Sequence, residues 1–414
     1  MGLMGGMWMA RIPAAKAQAH LSDGILGIAL FAIPVGLVLG TALAERLVDR
    51  VGSTLLVRIF GITSCAATVA PGLAHALPGL MVALFAIGVS GGLLDVAQNA
   101  QGVAVEAAYG RPVITSMHAF YSFGAILGSL AGGVLAWAGV VLLPSLAAAG
   151  LTGALINGTA GPWLLPKATR ITPATGSAPV GPASSSPAPS GSASEPPPAP
   201  SGAGATKTPS VTRSQVRRLV LALGVLGICA LVGEGAAGDW SAVYLRDNLG
   251  TSAGFAALGF AAFSATMTLG RAAGDWLIHR FGVVPVIRAC GLTATAGLAL
   301  ALATPVPAVT VAGFTAFGAG LSIVVPQVFA AGGRADAERP GSGLAKVVGL
   351  GYAGMAAGPA IIGLVANSIG LHLALLIPLA LAAWIAVAAP ALRAPQADSQ
   401  LADPSARATA AGIP

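Results

Sequence analysis

The sequence predicts an all-α membrane protein built from two similar six-helix bundles, and three observations predict it. The 414-residue chain is 55% apolar and only 8% charged, with a mean hydropathy of +0.83, whereas a soluble domain carries about a quarter charged residues. Its apolar residues gather in blocks at least as long as the roughly 18 residues that mark a membrane-spanning helix. Residues 40–62 are then matched without gaps by residues 270–292. Within hydrocarbon only helices and closed barrels satisfy every backbone group, and these blocks lack the polar–apolar alternation of barrel strands.

Taken in order, the blocks predict a short stub at 1–10 and helices at 24–44, 55–75, 79–101, 112–138, 139–165, 216–238, 253–274, 284–304, 307–330, 343–366 and 370–392. This divides the chain into an N-terminal bundle (1–165), a linker (166–214), a C-terminal bundle (215–393) and a tail (394–414). The linker is rich in Pro, Ser, Ala and Gly, and no aromatic residue occurs between Trp163 and Trp240. Such a stretch buries too little apolar area to offset its ordering entropy, so linker and tail are expected to be disordered.

The repeat carries the organisation further. Gly40, Arg50, Gly52, Arg58 and Gly61 fall on Gly270, Arg280, Gly282, Arg288 and Gly291, and the same offset sets Gly124, Gly128 and Gly133 on Gly354, Gly358 and Gly363. Two halves of like sequence and like topology form the parallel repeat of a transporter, with a pseudo-two-fold axis along the membrane normal. Trp8 and Trp240 hold nearly equivalent places in helices 1 and 7. Ten helical residues rise only about 15 Å, half of a roughly 30 Å hydrocarbon core. Helix 1 is therefore expected to be truncated at its N-terminus.

The net charge of +7 and pI of 9.8 do not indicate nucleic acid, because the basic residues lie singly at helix ends rather than in a patch with aromatics. They orient the chain instead. With the linker in the cytoplasm, all 21 basic residues except Arg11, Lys16 and Arg246 fall on the cytoplasmic side, as the positive-inside rule requires. Both termini are then cytoplasmic and the bilayer is the cell's inner membrane. Cys65, Cys229 and Cys290 lie in apolar blocks without CxxC spacing, so neither a disulfide framework nor a metal site is expected. No cofactor motif stands either: Gly349-x-Gly351-x-x-Gly354 falls within a membrane helix, where small residues serve close packing.

Two charged, glycine-ended segments follow helices 2 and 8: Asp49-Arg50-Val51-Gly52, and Gly270-Arg271 through Gly274-Asp275 to Arg280-Phe281-Gly282. Here the chain resembles the major facilitator superfamily, whose signature in these two loops is G-x-x-x-D-R-x-G-R-R or a close variant. Glu45 departs from it at a position usually small, and Ser53-Thr54 stands in place of the usual basic pair. Further segments, GLLDVAQNAQGVAVE (92–106), RPVITSMHAFYSFGAILG (111–128), GDWSAVYLRDNLG (238–250) and GLGYAGMAAGPAIIG (349–363), are similar to the MosC/YbjJ-like group of that superfamily. That group is in turn distantly like fucose-permease-type sugar–proton symporters. The resemblance implies a 6+6 fold, a gating role for the two charged segments, and a cavity lined by helices 1, 4, 7 and 10.

Ionisable groups inside a membrane cost about 2.5–3.5 kcal/mol at a helix centre on insertion scales, which makes them the candidates for function. Asp95 shares a helix face with Gln98 and Asn99 at i+3 and i+4. An acid beside amides suits proton-coupled binding of a polar solute, and pairing with Arg111 is the structural alternative. Glu234 lies deep in helix 7, where the resemblance places cavity residues, with an interfacial acid as the alternative. His118 and Tyr121 share a face of helix 5, and a membrane histidine is more often a helix–helix hydrogen-bond partner than a proton relay. Ser322 and Gln327 in helix 10 are candidate solute ligands beside Pro326, and Trp240 is either a cavity wall or a residue of the interfacial aromatic belt. These residues point to a monomeric secondary transporter of a small polar solute, a sugar or polyol, coupled to protons and working by alternating access. An exporter of the same fold and a non-transporting sensor are the alternatives. A sensor would need a signalling domain, and a membrane enzyme a cluster of His, acid and Ser or Cys that the sequence does not display.

The linker assignment has a direct test. A protease site introduced near Ser190 is expected to be cut only from the cytoplasmic face of sealed vesicles, and cleavage from the opposite face alone would invert the topology.

Overall fold

The computed structural model describes residues 1–109, 114–165, 213–335 and 340–393. The linker and tail expected at 166–214 and 394–414 lie outside the described residues, apart from Arg213 and Ser214, which open a helix. Arg111 lies outside them as well, together with the side chains of Glu45, Asp49 and His118.

Among the described residues the chain is helical throughout, without strands. The N-terminal half contains α1 (Gly2–Gln18), α2 (Asp23–Leu30), α3 (Ala32–Val51), α4 (Ser53–Val69), α5 (Leu77–Tyr109), α6 (Ile114–Trp137) and α7 (Leu142–Ala160). The C-terminal half contains α8 (Arg213–Val243), prolonged by a π turn to Asn248, then α9 (Ala253–Phe281), α10 (Val283–Ala303), α11 (Pro307–Leu321), α12 (Val324–Arg334), α13 (Pro340–Ile369), α14 (Leu371–Ala374) and α15 (Leu376–Ala388). Among the described residues eleven segments are long and apolar enough to cross a membrane; with α1 they make two sets of six.

Proline accounts for the three interrupted spans. It lacks an N–H and crowds the carbonyl four residues earlier. The breaks at Phe31, at Ser322–Ile323 and at Leu375 lie three to four residues before Pro34, Pro326 and Pro378.

Two expectations change. The stub at 1–10 is a helix of 17 residues, Gly2–Gln18, which rises about 25 Å rather than half the hydrocarbon. The charged segments also belong mainly to helices, since α3 runs to Val51 and α9 to Phe281. Backbone hydrogen bonding persists into water until Gly52 (φ 88°) and Gly282 (φ 82°) end each helix in a conformation that favours glycine. Gly270, Arg271, Gly274, Asp275 and Arg280 are thus helical residues.

The two halves pack by the same scheme. Glycines 36 and 40 of α3 meet glycines 88 and 92 of α5, each close enough to the opposing backbone that a Cβ would collide with it. At the repeat offset the C-terminal half sets Gly270 of α9 against Ser322, and Gly318 of α11 against the carbonyl of Phe263. Likewise α1 packs on α6 as α8 packs on α13. Gly351 and Gly354 meet Leu231 and Ile228 of α8, which is the close packing expected of them.

Between the halves, α2 meets α13 and α6 meets α9. A Cβ on Gly27 would stand 2.5 Å from the Pro359 carbonyl, and one on Gly363 would stand 2.7 Å from the Asp23 carbonyl. In the pseudo-symmetric contact, a Cβ on Gly254 would stand 2.7 Å from Trp137 Cβ, and one on Gly133 would stand 2.9 Å from Ala257 Cβ. Ser129 Oγ donates to the Ala257 carbonyl at 3.2 Å. Lys16 Nζ reaches Asp247 Oδ2 across the halves at 2.5 Å and Asp23 Oδ1 at 2.5 Å, the latter as a charge contact rather than an aligned hydrogen bond. All these contacts lie at the membrane face opposite the linker, here the far side. Toward the linker side α4, α5 and α7 make no comparable contact with α10, α11 or α12 among the described residues. The halves are closed on the far side and part toward the linker.

Gly363→Val is therefore expected to force the far side open, because its new side chain meets backbone that cannot yield. Disulfide formation between cysteines placed at Ser129 and Ala257 reports the closure. It should fall severalfold in Gly363→Val, and by a smaller factor in Lys16→Ala, which removes a partly exposed ion pair worth about 1 kcal/mol. Unchanged crosslinking in both variants would refute the assignment.

Candidate functional site

Counting about 1.5 Å per residue back from the far-side helix ends, several polar side chains fall on one level, about 20–27 Å deep. They are Asp95 of α5, Tyr121 of α6, Glu234 of α8, Arg271 of α9 and Tyr352 of α13. The two halves thus contribute to one space. The hydroxyls of Tyr121 and Tyr352 both lie within electrostatic reach of Asp95 and Glu234, and that of Tyr121 also of Arg271. Tyr121 is 52% exposed and Tyr352 46%, so these aromatics front an opening rather than fill a core. The Tyr121 hydroxyl also approaches Gly5, which brings α1 to the same space.

The centre of the constellation is an ion pair. Arg271 Nη2 lies 3.3 Å from Glu234 Oε2 and 3.4 Å from Oε1, while Nε lies 3.4 Å from the Ser322 carbonyl. Side-chain exposures of 38% and 32% leave both partners facing the space. The Ser322 carbonyl is available because the helix is broken there by Pro326, and Arg271 can come so near because Gly270 has no side chain to strike Ser322. One guanidinium thereby ties α8, α9 and the α11–α12 break.

The structure distributes the sequence candidates unevenly. Asp95 is exposed to the space, with Gln98 and Asn99 half-buried beside it, and Asn99 Nδ2 donates to the Asp95 carbonyl at 2.9 Å. Gln327 is half-buried one turn beyond the α11–α12 break. Glu234 is brought to the space, and its partner is a residue that the sequence assigned to a gating loop. That assignment is corrected for Arg271, which sits about 15 Å inside the linker-side end of α9. Asp275, Arg280 and Arg50 are exposed near linker-side helix ends. Asp275 makes no ion pair among the described residues, and Arg280 stacks over Phe281 at 5.5 Å.

Two candidates leave the site. Trp240 is fully buried, so it is neither a belt residue nor a cavity wall, because its ring is enclosed by α8's neighbours. Ser322 is 1% exposed, and its hydroxyl turns back to the Ala319 carbonyl at 2.7 Å; it serves the helix break rather than a solute. His118 and Asp49 lie outside the described side chains.

Sequence reasoning missed Tyr352 and Asp239. Asp239 is a half-buried acid within α8. An acid at the end of an apolar run was the available signal for Asp239.

No group of three or more His, Cys, Asp or Glu side chains able to hold a metal occurs among the described residues.

The chain as a whole is similar to known proteins. The family model described as Major Facilitator Superfamily matches residues 1–344. An uncharacterised transporter, y4wD, of Sinorhizobium fredii is 32% identical over 394 residues, covering 95% of each chain. The membrane protein MosC of Rhizobium meliloti is 27% identical over 391 residues, covering 94% of this chain and 86% of its own. Among solved structures, a mutant form of the nucleoside transporter NupG superposes with a TM-score of 0.68 at 10% identity, covering 94% of this chain and 97% of its own. A D-xylose–proton symporter superposes at 0.63 and 15% identity, covering 94% and 95%. At these identities the structural likenesses establish the fold alone.

Removing one partner of the central pair leaves the other charge uncompensated in a low dielectric. Glu234→Gln and Arg271→Gln should each lower the thermal unfolding midpoint in detergent, and the double variant should lose less than the sum of the two. Partial exposure reduces the expected coupling to about 1 kcal/mol. Strict additivity would show that the pair contributes nothing.

Proposed function

The chain belongs to the major facilitator superfamily and is a multi-pass membrane transporter of that family, and from that premise we propose that it carries a small polar solute, of the sugar or polyol class, through the inner membrane in exchange for the energy of a proton gradient. The observation that supports this reading is the convergence of Asp95, Tyr121, Glu234, Arg271 and Tyr352 from both halves on one level within the helices. Two tyrosine hydroxyls and the amides of Gln98 and Gln327 offer donors and acceptors to a hydroxylated solute. Arg271, the cation of this cluster, is held by a carboxylate, so the space favours a neutral polar molecule over a free anion.

In this reading the linker side is cytoplasmic and the form described is open to the cytoplasm. Solute binds between the halves, the linker-side ends come together, and the far-side contacts of α2 with α13 and α6 with α9 release. Asp95 carries the coupled proton, exchanging it with cytoplasmic water in this form. Asp275 serves the conformational cycle, meeting a basic partner when the linker-side ends close. A proton moving down 100 mV supplies about 2.3 kcal/mol, enough to accumulate solute about fifty-fold.

Uptake of a panel of labelled sugars and polyols into proteoliposomes, with and without a pH gradient, tests the class of solute and its coupling. With the solute in hand, Asp95→Asn is expected to abolish accumulation against a gradient while preserving counterflow, because binding and rocking need no proton. Asp275→Asn is expected to slow both modes together. Accumulation undiminished in Asp95→Asn would remove Asp95 from the coupling role.

A further inference from the structure

Asp239 lies in α8 about 14 Å from the end of its π-turn extension at Asn248, about 12 Å inside the Lys16–Asp247 contact and about 7 Å farther out than Glu234 along the helix. It is half-buried, and among the described residues it has neither a hydrogen-bond nor an ion-pair partner. Its helix face is set by its neighbours. Ile228 packs on Gly354, Val232 on Gly358, and Gly235 faces Met355. By helical periodicity Asp239 continues that stripe, at the level where α13 turns its Gly363 to Gly27 of α2. Next to it, Gly238 approaches Met9 of α1 and Phe260 of α9. Asp239 thus sits just beneath the far-side seal, against the helices whose contacts must separate for the far side to open.

The ionisable groups on the elements around α8 are all turned elsewhere. Arg11 of α1 donates to the Val140 carbonyl at 2.6 Å, and Lys16 is held by Asp23 and Asp247. Arg271 of α9 is held by Glu234, and Tyr352 of α13 lies toward Asp95 and Glu234. The Tyr244 hydroxyl is paired with His372 Nδ1 at 2.9 Å, and Arg246 reaches the Thr251 carbonyl at 3.0 Å. Asp275, His279 and Arg280 of α9, Arg334 of α12 and Lys346 of α13 lie at linker-side ends. None of these brings a charge or a hydrogen bond to Asp239.

We propose that Asp239 is a second proton-binding site, separate from Asp95 and from the Glu234–Arg271 pair, that exchanges its proton with the far side when α2 and α13 part. A half-buried carboxylate that meets neither a cation nor a donor is stabilised by taking a proton. Release needs water, and water reaches this level from the far side only after the seal opens. Asp95, by contrast, faces water on the linker side in the form described. Asp95 thus exchanges its proton with the linker side in the form described, and Asp239 with the far side once the seal opens. The proposal shares with the preceding section the premise of proton coupling, but its first test does not depend on transport.

That test is pH-difference infrared spectroscopy of the purified full-length chain in lipid, following the carbonyl stretch of protonated carboxylic acids. A band present near neutral pH is expected in the native protein, in Asp95→Asn and in Glu234→Gln. It should be lost in Asp239→Asn and shifted in Asp239→Glu. No such band in the native protein, or a band unchanged in Asp239→Asn, overturns the proposal. In proteoliposomes Asp239→Asn should then lower gradient-driven accumulation at least tenfold with counterflow kept within about twofold, and Asp239→Glu should restore part of it. Full accumulation in Asp239→Asn would also overturn the coupling role. If Asp95→Asn accumulates solute normally while the band depends on Asp239, the role of Asp95 falls and that of Asp239 stands.

Discussion

The rest of the structure depends on how closely the two halves approach at the far side. Backbones can pass within the radius of a missing side chain only where glycine stands, and here the glycines come in symmetric sets. Gly24 lies against Asn367 and Gly254 against Trp137; each pair is the other displaced by the repeat offset. With lipid as apolar as leucine, helices gain little by hiding from solvent, and van der Waals contact at short range supplies the attraction. Two such contacts on opposite flanks of α1 and α8 fix the halves as a pair of jaws hinged at one face. The space between them, and the level at which α5, α6, α8, α9 and α13 present side chains to it, follow from that hinge.

Charge is then distributed by cost. An ionised group at the middle of a bilayer costs several kcal/mol unless paired, hydrated or neutralised, and the chain uses different remedies for different groups. Lys16, near the far-side surface, shares two carboxylates drawn from both halves. Glu234 and Arg271 neutralise one another at the centre, with a backbone carbonyl freed by Pro326 as third partner. Asp95 faces the water of the open side, and Asp239 meets neither a cation nor a donor among the described residues. The break that Pro326 makes in the tenth span thus has an electrostatic use: it supplies the carbonyl that holds the guanidinium against the acid.

How far the sequence could be read follows from the range of the forces involved. Hydropathy acts over twenty residues and the repeat over two hundred, so spans, halves and the glycine matches are all legible. The register of α1 is less so, because Arg11 and Lys16 mark a polar boundary that the fold erases by burying Arg11 on a carbonyl between α6 and α7. The site is legible only by element. Glu234 and Asp95 stand out as acids in apolar runs. That Arg271 turns inward rather than toward a gating loop depends on how far α9 continues beyond the membrane and on which neighbour lacks a Cβ, and both are tertiary facts. Trp240 misleads for a related reason: tryptophan near a helix end reads as an interfacial residue until the helices packed around α8 are known.

The repeat explains the packing and not the chemistry. Displaced by the repeat offset, Glu234 corresponds to Met4, Asp239 to Met9, Arg271 to Thr41, and Asp95 to Val325. Tyr121 corresponds to Gly351, and Tyr352 to Ser122. None of the ionisable groups in the space has an ionisable counterpart in the other half, whereas the glycines that set helix distances recur at 40 and 270, 88 and 318, 128 and 358, and 133 and 363. Rocking about a pseudo-two-fold axis needs both halves to have the same shape, which constrains the residues at helix contacts in matched positions. Coupling makes the opposite demand. A rotation about the membrane normal returns each group to the same depth in the other half, so matched acids would face one another as like charges across the space, each raising the cost of ionising the other. With Asp95, Glu234, Asp239 and Arg271 at unmatched positions, this chain meets the first demand in its backbone and the second in its side chains.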